Sequence, residues 1–309
     1  MTENKNQYEY HVPVMLQECL DGLDINPDGV YVDLTFGGGG HARAIFEQLS
    51  VKGKLIVFDQ DEDAKKNAWD APNFHFVASN FSFLKNQLRM LGIKAVDGIL
   101  ADLGVSSHQF NEPERGFSIR ADEYLDMRMN QRSGDSAYDV VNTYDEDQLA
   151  TILGKYGEVK SPRRIAQKIV LKRQASPIRT TGELVAVLSE LAPKFKENRF
   201  FAQVFQAIRI EVNDEMGVLE DMLEQTASVL RPGGRLVVMS YHSLEDRLVK
   251  NYIKSGNFKG KINKDFFGNV LRPLSGVTRK PLVASEEEIE RNSRARSAKL
   301  RIAERNEGE

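Results

Sequence analysis

At 309 residues, 41% of them hydrophobic, the chain is long enough for a large core and for two domains. Its one cysteine, Cys19, excludes an internal disulfide and a cysteine-built zinc site, and no apolar run approaches the roughly 18 to 20 residues that span a bilayer. The formal net charge of -3 means that any contact with nucleic acid must come from local basic patches, and the polar start MTENKNQYEY lacks the order of a secretory signal, so a cytoplasmic location is expected.

In chain order, VPVMLQECL (12–20) reads as a helix or packed arm, with Cys19 as a buried structural residue. VYVDLTF (30–36) is short, rich in β-branched and aromatic residues, and ends in glycines, which predicts a buried strand. After Gly40, residues Ala42, Ile45, Phe46 and Leu49 recur at helical spacing, and Gly53 closes that helix. KLIVFDQD (54–61) gives a second strand, Ala64 to Trp69 a helix, FHFVASNF (74–81) a third strand, and DGILADLG (97–104) a fourth after an amphipathic stretch around Phe83, Leu84, Leu88 and Leu91. This alternation argues for a parallel, doubly wound sheet with its ligand site beyond the carboxyl ends of the strands. Gly37, Gly39 and Gly40 then let the backbone turn sharply and approach a ligand, and Asp59, ending the second strand, stands where such folds put an acid on a ribose diol. A nucleoside cofactor is expected. The glycine spacing by itself does not exclude NAD, because the third place of a dinucleotide fingerprint falls on the small Ala42.

A helix from about Glu215 to Leu230, a PGG turn and the strand RLVVMSYH repeat the same logic and supply a fifth strand. Well over a hundred residues separate Asp102 from Arg235, far more than a crossover needs, so a helical domain is expected as an insertion over 111–212, splitting the sheet domain into 1–110 and 213–309. Within it Ser161 and Pro162 suit a helix start, Thr180 with Glu183 makes a capping box, and Phe201, Val204, Phe205 and Ile208 form a further apolar stripe. Arg163, Arg164, Lys168, Lys172 and Arg173 belong to a basic stretch with Glu158 as its one acid; a phosphate-binding face and a solvated helix surface are both open readings. The basic tail through Arg291, Arg294, Arg296, Lys299 and Arg301 has the same two readings, and RARSAKLRIAER (294–305) suits a last strand despite poor alternation.

Asp102 closes the fourth strand and is followed by Ser106, Ser107 and Gln109; His242, Ser243, Glu245 and Asp246 follow the fifth, on the same edge. The cluster has no metal-ligand spacing, and GVSSH does not match a hydrolase nucleophile elbow. It suits methyl transfer from S-adenosylmethionine to an exocyclic amine, which requires alignment and hydrogen-bond acceptors on the N–H groups. Methylation at a pyrimidine carbon normally needs a cysteine nucleophile, and the position of Cys19 in the chain places it far from the strand ends.

HVPVMLQE (11–18), YVDLTFGGGGHA (31–42), DGILADLGVSSHQF (97–110), RGFSIR (115–120), LDMRMN (125–130), FQAIRIEVNDE (205–215), LRPGGRLVVMSYHSLEDRLVK (230–250) and NSRARSAKLRIAER (292–305) resemble, in order, the MraW (RsmH) family. Its members methylate the N4 amine of a cytidine in the decoding region of 16S rRNA of the small ribosomal subunit. The resemblance implies an α/β class I S-adenosylmethionine-dependent methyltransferase, a Rossmann-like doubly wound sheet with an inserted helical substrate-recognition domain. It implies that Gly39, Gly40 and His41 contact the methionine part of S-adenosyl-L-methionine and that Asp59 holds its ribose. Phe81 and Asp102 would line the adenine and sulfonium region, and Gln109 would complete the site. Asp102, Ser106 and Ser107, with His242 and Glu245 behind them, are the candidate catalytic groups. The partner is 16S rRNA in the small subunit, with no membrane and no metal; monomer and homodimer are both open. Many members read HPATR where this chain has RFFAQV (199–204), a departure that bears on RNA contacts. Methylation of another nucleobase amine, an NAD-dependent oxidoreductase and a non-catalytic RNA-binding factor are the competing readings.

Overall fold

The computed structural model describes residues 13–105 and 115–307. The chain folds into two compact units, Met1–Gly104 with Met216–Glu309, and Val105–Glu215. The junctions thus lie a few residues from the 111 and 212 expected.

The first unit is built on a seven-stranded sheet of order β3-β2-β1-β4-β5-β7-β6. Its strands are β1 (Val30–Asp33), β2 (Lys54–Asp59), β3 (Phe74–Ala78), β4 (Val96–Asp102), β5 (Leu230–Ser240), β6 (Leu274–Gly276) and β7 (Lys299–Arg305). β1 to β5 pair in parallel, whereas β7 runs antiparallel to both β5 and β6. The central strands are apolar at successive positions because both faces are covered. Val32, Ile56, Phe58, Ile99, Leu236 and Val238 face one apolar cluster. Tyr31, Leu55, Val57, Leu100, Val237 and Met239 face the other, as the two-residue period of a strand requires. Helices α1 (Leu16–Leu23) and α2 (Gly40–Glu47) send Cys19, Leu23, Ala42 and Ile45 into the second cluster. Helix α3 (Leu84–Met90) contributes Leu84 and Leu88 to the first cluster, and α9 (Glu215–Val229), close to the bounds expected, adds Leu219, Met222 and Leu223. The chain steps outward from β1 to β3 and then returns to β4 on the other side of β1, so the strand order reverses between β1 and β4 and a crevice opens at their carboxyl ends.

Several local expectations change. The 64–69 segment is a 3-10 turn, Glu62–Asn67, whose Asp61 carboxylate accepts from the Asp63 amide. The PGG sequence is absorbed into β5, where the pairing with β4 jumps from Val96↔Leu230 to Gly98↔Arg235. The basic tail does form a strand, with Leu300, Ile302 and Ala303 buried, and β6 was not foreseen because three residues carry no readable pattern.

The second unit is helical: α4 (Ala137–Thr143), α5 (Glu146–Lys155), α6 (Pro162–Ala175), α7 (Thr181–Leu188) and α8 (Glu197–Asn213). Val140, Leu149, Leu153, Ile165, Ile169, Leu184, Leu188, Val204, Phe205 and Ile208 form its core. Ser136 with Asp139 and Asp145 with Gln148 make complete capping boxes for α4 and α5. The expected box at Thr180 is half formed: its hydroxyl accepts from the Glu183 amide, but the Glu183 carboxylate takes the Arg179 amide instead. Ser161 makes no side-chain cap, leaving Pro162 as the helix-starting residue.

Candidate active site at the carboxyl edge of the sheet

The glycine turn after β1 is held at both ends. The Gly37 amide donates to Asp59 Oδ2 at 2.8 Å, and Asn67 Nδ2 donates to the Gly37 carbonyl at 2.9 Å. Gly37 and Gly39 have φ of 49° and 77°, the left-handed region where a Cβ is strained, and a Cβ on Gly40 would run into Pro13 Cγ. The four glycines therefore build a side-chain-free wall leading into α2.

Three aspartates end strands on this edge: Asp33 on β1, Asp59 on β2 and Asp102 on β4. Burial pushes Asp33 and Asp59 up to about 6 and Asp102 up to about 7. Among the described residues no lysine or arginine pairs with any of them. Asp33 accepts from the Thr35 amide through Oδ1, while its buried Oδ2 has no hydrogen-bond partner. Asp59 Oδ1 accepts from the Asp61 amide at 2.8 Å, and the Gln60 amide also bonds this carboxylate.

Among the described residues the Asp102 carboxyl has one bonded partner and one close neighbour. Tyr241, one residue past β5, donates its hydroxyl to Oδ1 at 2.7 Å. His41 Nδ1 lies 3.8 Å from Oδ2, too far for a hydrogen bond, and its Nε2 lies 3.0 Å from the Val14 carbonyl. Since a carbonyl only accepts, Nε2 carries the proton and Nδ1 turns its lone pair toward Asp102. Burial lowers the His41 pKa, so this is a neutral imidazole beside a carboxyl that titrates near neutrality, and not an ion pair.

His242 and Glu245 also serve the local fold. They form a capping box at the start of α10 (Ser243–Ser255), Glu245 Oε2 accepting from the Tyr241 amide at 2.8 Å and the His242 amide at 3.3 Å. His242 Nε2 stands 3.3 Å from Glu245 Oε1 but off the line of a hydrogen bond. Phe81 opens a 3-10 turn just past β3 and packs partly buried against the core; Asn80 beside it bonds Gln60 past the end of β2. Ser106, Ser107 and Gln109 lie outside the described residues.

Cys19 needs a correction. It is fully buried in α1, and burial first, then the nearby carboxylates of Asp102, Glu18 and Asp33, raises its thiol well above the usual range. Position in the chain concealed this closeness; the raised pKa opposes a nucleophilic role. Asp33 and Tyr241 were missed. Asp33 offered the same signal as Asp59, an acid ending a strand, whereas Tyr241 depends on β5 lying beside β4.

In the second unit, the basic residues of α6 are partly committed. Arg173 donates to the Val141 carbonyl at 2.7 Å, Lys168 pairs with Glu190 at 2.7 Å, and Arg163 lies 3.8 Å from Asp147. Arg164 and Lys172 are exposed.

A glycine turn after β1, acids ending β1, β2 and β4, and a reversed strand β7 between β5 and β6 define a class I S-adenosylmethionine-dependent methyltransferase fold. The chain belongs to the MraW methylase family, whose model matches residues 8–306. A ribosomal RNA small subunit methyltransferase H from Parabacteroides distasonis is 57% identical over 96% of this chain and 97% of its own length. The proteins of the same name from Bacteroides thetaiotaomicron and Cytophaga hutchinsonii are 55% and 54% identical, over 97% and 96% of this chain and 99% of each relative. Among solved structures, an rRNA methylase from Streptococcus thermophilus aligns over 96% of this chain and 99% of that one at 11% identity and a TM-score of 0.42, too loose a superposition to bear on the site.

Proposed function

We propose that the chain transfers the methyl group of S-adenosyl-L-methionine to the N4 amine of a cytidine in the decoding region of 16S rRNA, acting on the small ribosomal subunit in the cytoplasm. The names of its relatives support a small-subunit rRNA substrate, and the DLGVSS, LDMRM and HSLEDR motifs support the N4 position. Among the described residues no helix is long and apolar enough to cross a membrane.

The donor set suits the cofactor. Three carboxyls without a cationic side chain, the orphaned Asp33 oxygen and a wall of glycines fit a ligand that brings positive charge and a diol. Asp59 would hold the ribose, Gly37, Gly39, Gly40 and His41 would border the methionine end, and Phe81 would flank the adenine. When bound, the sulfonium supplies an electrophilic methyl group.

The Asp102 carboxyl, fixed by Tyr241 and 23% exposed, is the observation that carries this reading. Its free oxygen accepts an N–H of the amine and keeps the nitrogen lone pair on the line of attack. Asp102 would take the amine's surplus proton as the methyl group is transferred. A pKa near 7 lets the group take that proton and release it again. Carbon methylation finds no support in a fully buried Cys19 with a raised pKa.

The test is labelled methyl transfer to small subunits from a strain lacking the gene, followed by nucleoside digestion and mass spectrometry. N4-methylcytidine at one position is the expected product. A different methylated nucleoside would move the reading to another amine, and no product with cofactor bound would remove the catalytic role.

A further inference from the structure

The segment after α10, KGKINKDFFGNVLR (259–272), contains Lys259, Lys261, Lys264 and Arg272 against a single acid, Asp265. It folds back on itself through a bridge between Lys264 and Val270 and a bond from the Leu271 amide to the Asn263 carbonyl. At its tip Phe266 and Phe267 are 97% and 85% exposed, and their rings meet edge to face at 5.6 Å. Exposed phenylalanines in a solvated loop are unfavourable unless something covers them.

This tip is rigidly made. Asp265 Oδ1 accepts from the amides of Phe267 and Asn269, both at 2.8 Å, and Oδ2 accepts from Asn269 Nδ2 at 2.9 Å. The Asp265 carboxylate is held below the usual range by those bonds, the Asn269 side chain first. At the base, the Asn257 side chain bonds both the amide and the carbonyl of Lys261, and Phe258 stacks on the buried Tyr252 with centroids 5.2 Å apart. The aromatic pair is therefore presented by a preformed turn, at little entropic cost on binding. Lys259, Lys261 and Lys264 are exposed, and among the described residues none forms an ion pair.

We propose that this hairpin is a docking platform for single-stranded RNA, the Phe266 and Phe267 rings stacking on unpaired bases while Lys261 and Lys264 hold the adjoining phosphates. The claim rests on the rRNA substrate proposed above and extends it to a contact made outside the reacting site. Charge selects the occupant: aromatic rings set among unpaired cations match the stacked faces and phosphates of a single strand, whereas an apolar protein surface would leave the lysines desolvated and unpaired.

The test uses the full chain and its Phe266→Ser/Phe267→Ser variant, whose altered side chains are too exposed to support the fold. Binding is measured to a fluorescent single-stranded oligoribonucleotide and to a duplex of the same sequence, with cofactor affinity and turnover on saturating small subunits as controls. The variant should bind the single strand about tenfold more weakly and need a higher subunit concentration for half-maximal rate, with both controls unchanged. In Lys261→Gln/Lys264→Gln the slope of log affinity against log salt should fall by roughly 1.4. Equal single-strand affinity of variant and wild type overturns the proposal. So does an equal loss on duplex, or a self-association or vesicle binding of the wild type that the variant abolishes while RNA affinity stays. Wild-type methyl transfer reports on the rRNA reading separately: its absence with the single-strand difference intact would remove that reading and leave the platform standing.

Discussion

A carboxyl that titrates near neutrality makes the rate depend on pH in a defined direction. Only the ionised Asp102 can accept a proton, so turnover should rise through an acid limb centred near pH 7. The Tyr241 hydroxyl favours the ionised form, and Tyr241→Phe should move that limb to higher pH, cutting the rate at pH 7 several-fold and restoring most of it by pH 9. A uniform loss at every pH would mean that Tyr241 only supports the fold. Stability runs the other way. The folded-state pKa lies above the unfolded value, so the folded chain holds the proton more tightly, and stability is lost as pH rises from about 4 through 7. Asp102→Asn keeps an acceptor for Tyr241 without the charge. It should raise unfolding free energy by about 4 kcal/mol at pH 8, change it little at pH 4, and lower turnover at least about a hundredfold; chemical denaturation at the two pH values checks this. The same three acids predict that S-adenosylmethionine, a cation, gains affinity between pH 6 and 8 while S-adenosylhomocysteine, neutral at sulfur, gains less; calorimetry with both ligands measures the difference.

At the start of α10, sequence proximity and function separate. His242 and Glu245 looked like members of the polar cluster after β5, and a helix N-terminus explains their pairing as well as catalysis does. Glu245→Ala should cost roughly 1–2 kcal/mol of stability and leave turnover within about threefold, measured by denaturation and saturating kinetics. A hundredfold fall in turnover at unchanged stability would return both residues to the catalytic set. The basic stretch of α6 teaches a related lesson: Arg173 spends its charge on the Val141 carbonyl and Lys168 on Glu190, so composition overstated the cations available to a phosphate. The glycine turn was more readable, because a left-handed backbone at Gly37 and Gly39 leaves a direct mark in residue choice.

The parallel sheet was legible for a physical reason: strands covered on both faces must be apolar throughout, and runs such as KLIVFD and DGILAD have no competing helical period. What escaped reading were features set by partners distant in sequence, namely the jump in register at the PGG of β5, the three-residue β6 and the reach of Tyr241 to Asp102. β7, the last strand in sequence, does not sit at the edge. It lies between β5 and β6, and β6 joins the sheet only through it. For a polypeptide growing from its N-terminus this sets a timetable. At about 5–20 residues per second, the roughly sixty residues between β5 and β7 take about 3–12 s to make, and for that interval the apolar edge of β5 has no neighbour. An unpaired edge of that kind invites pairing with another chain, so this protein's yield in a cell should be sensitive to translation speed and to chaperones over that window.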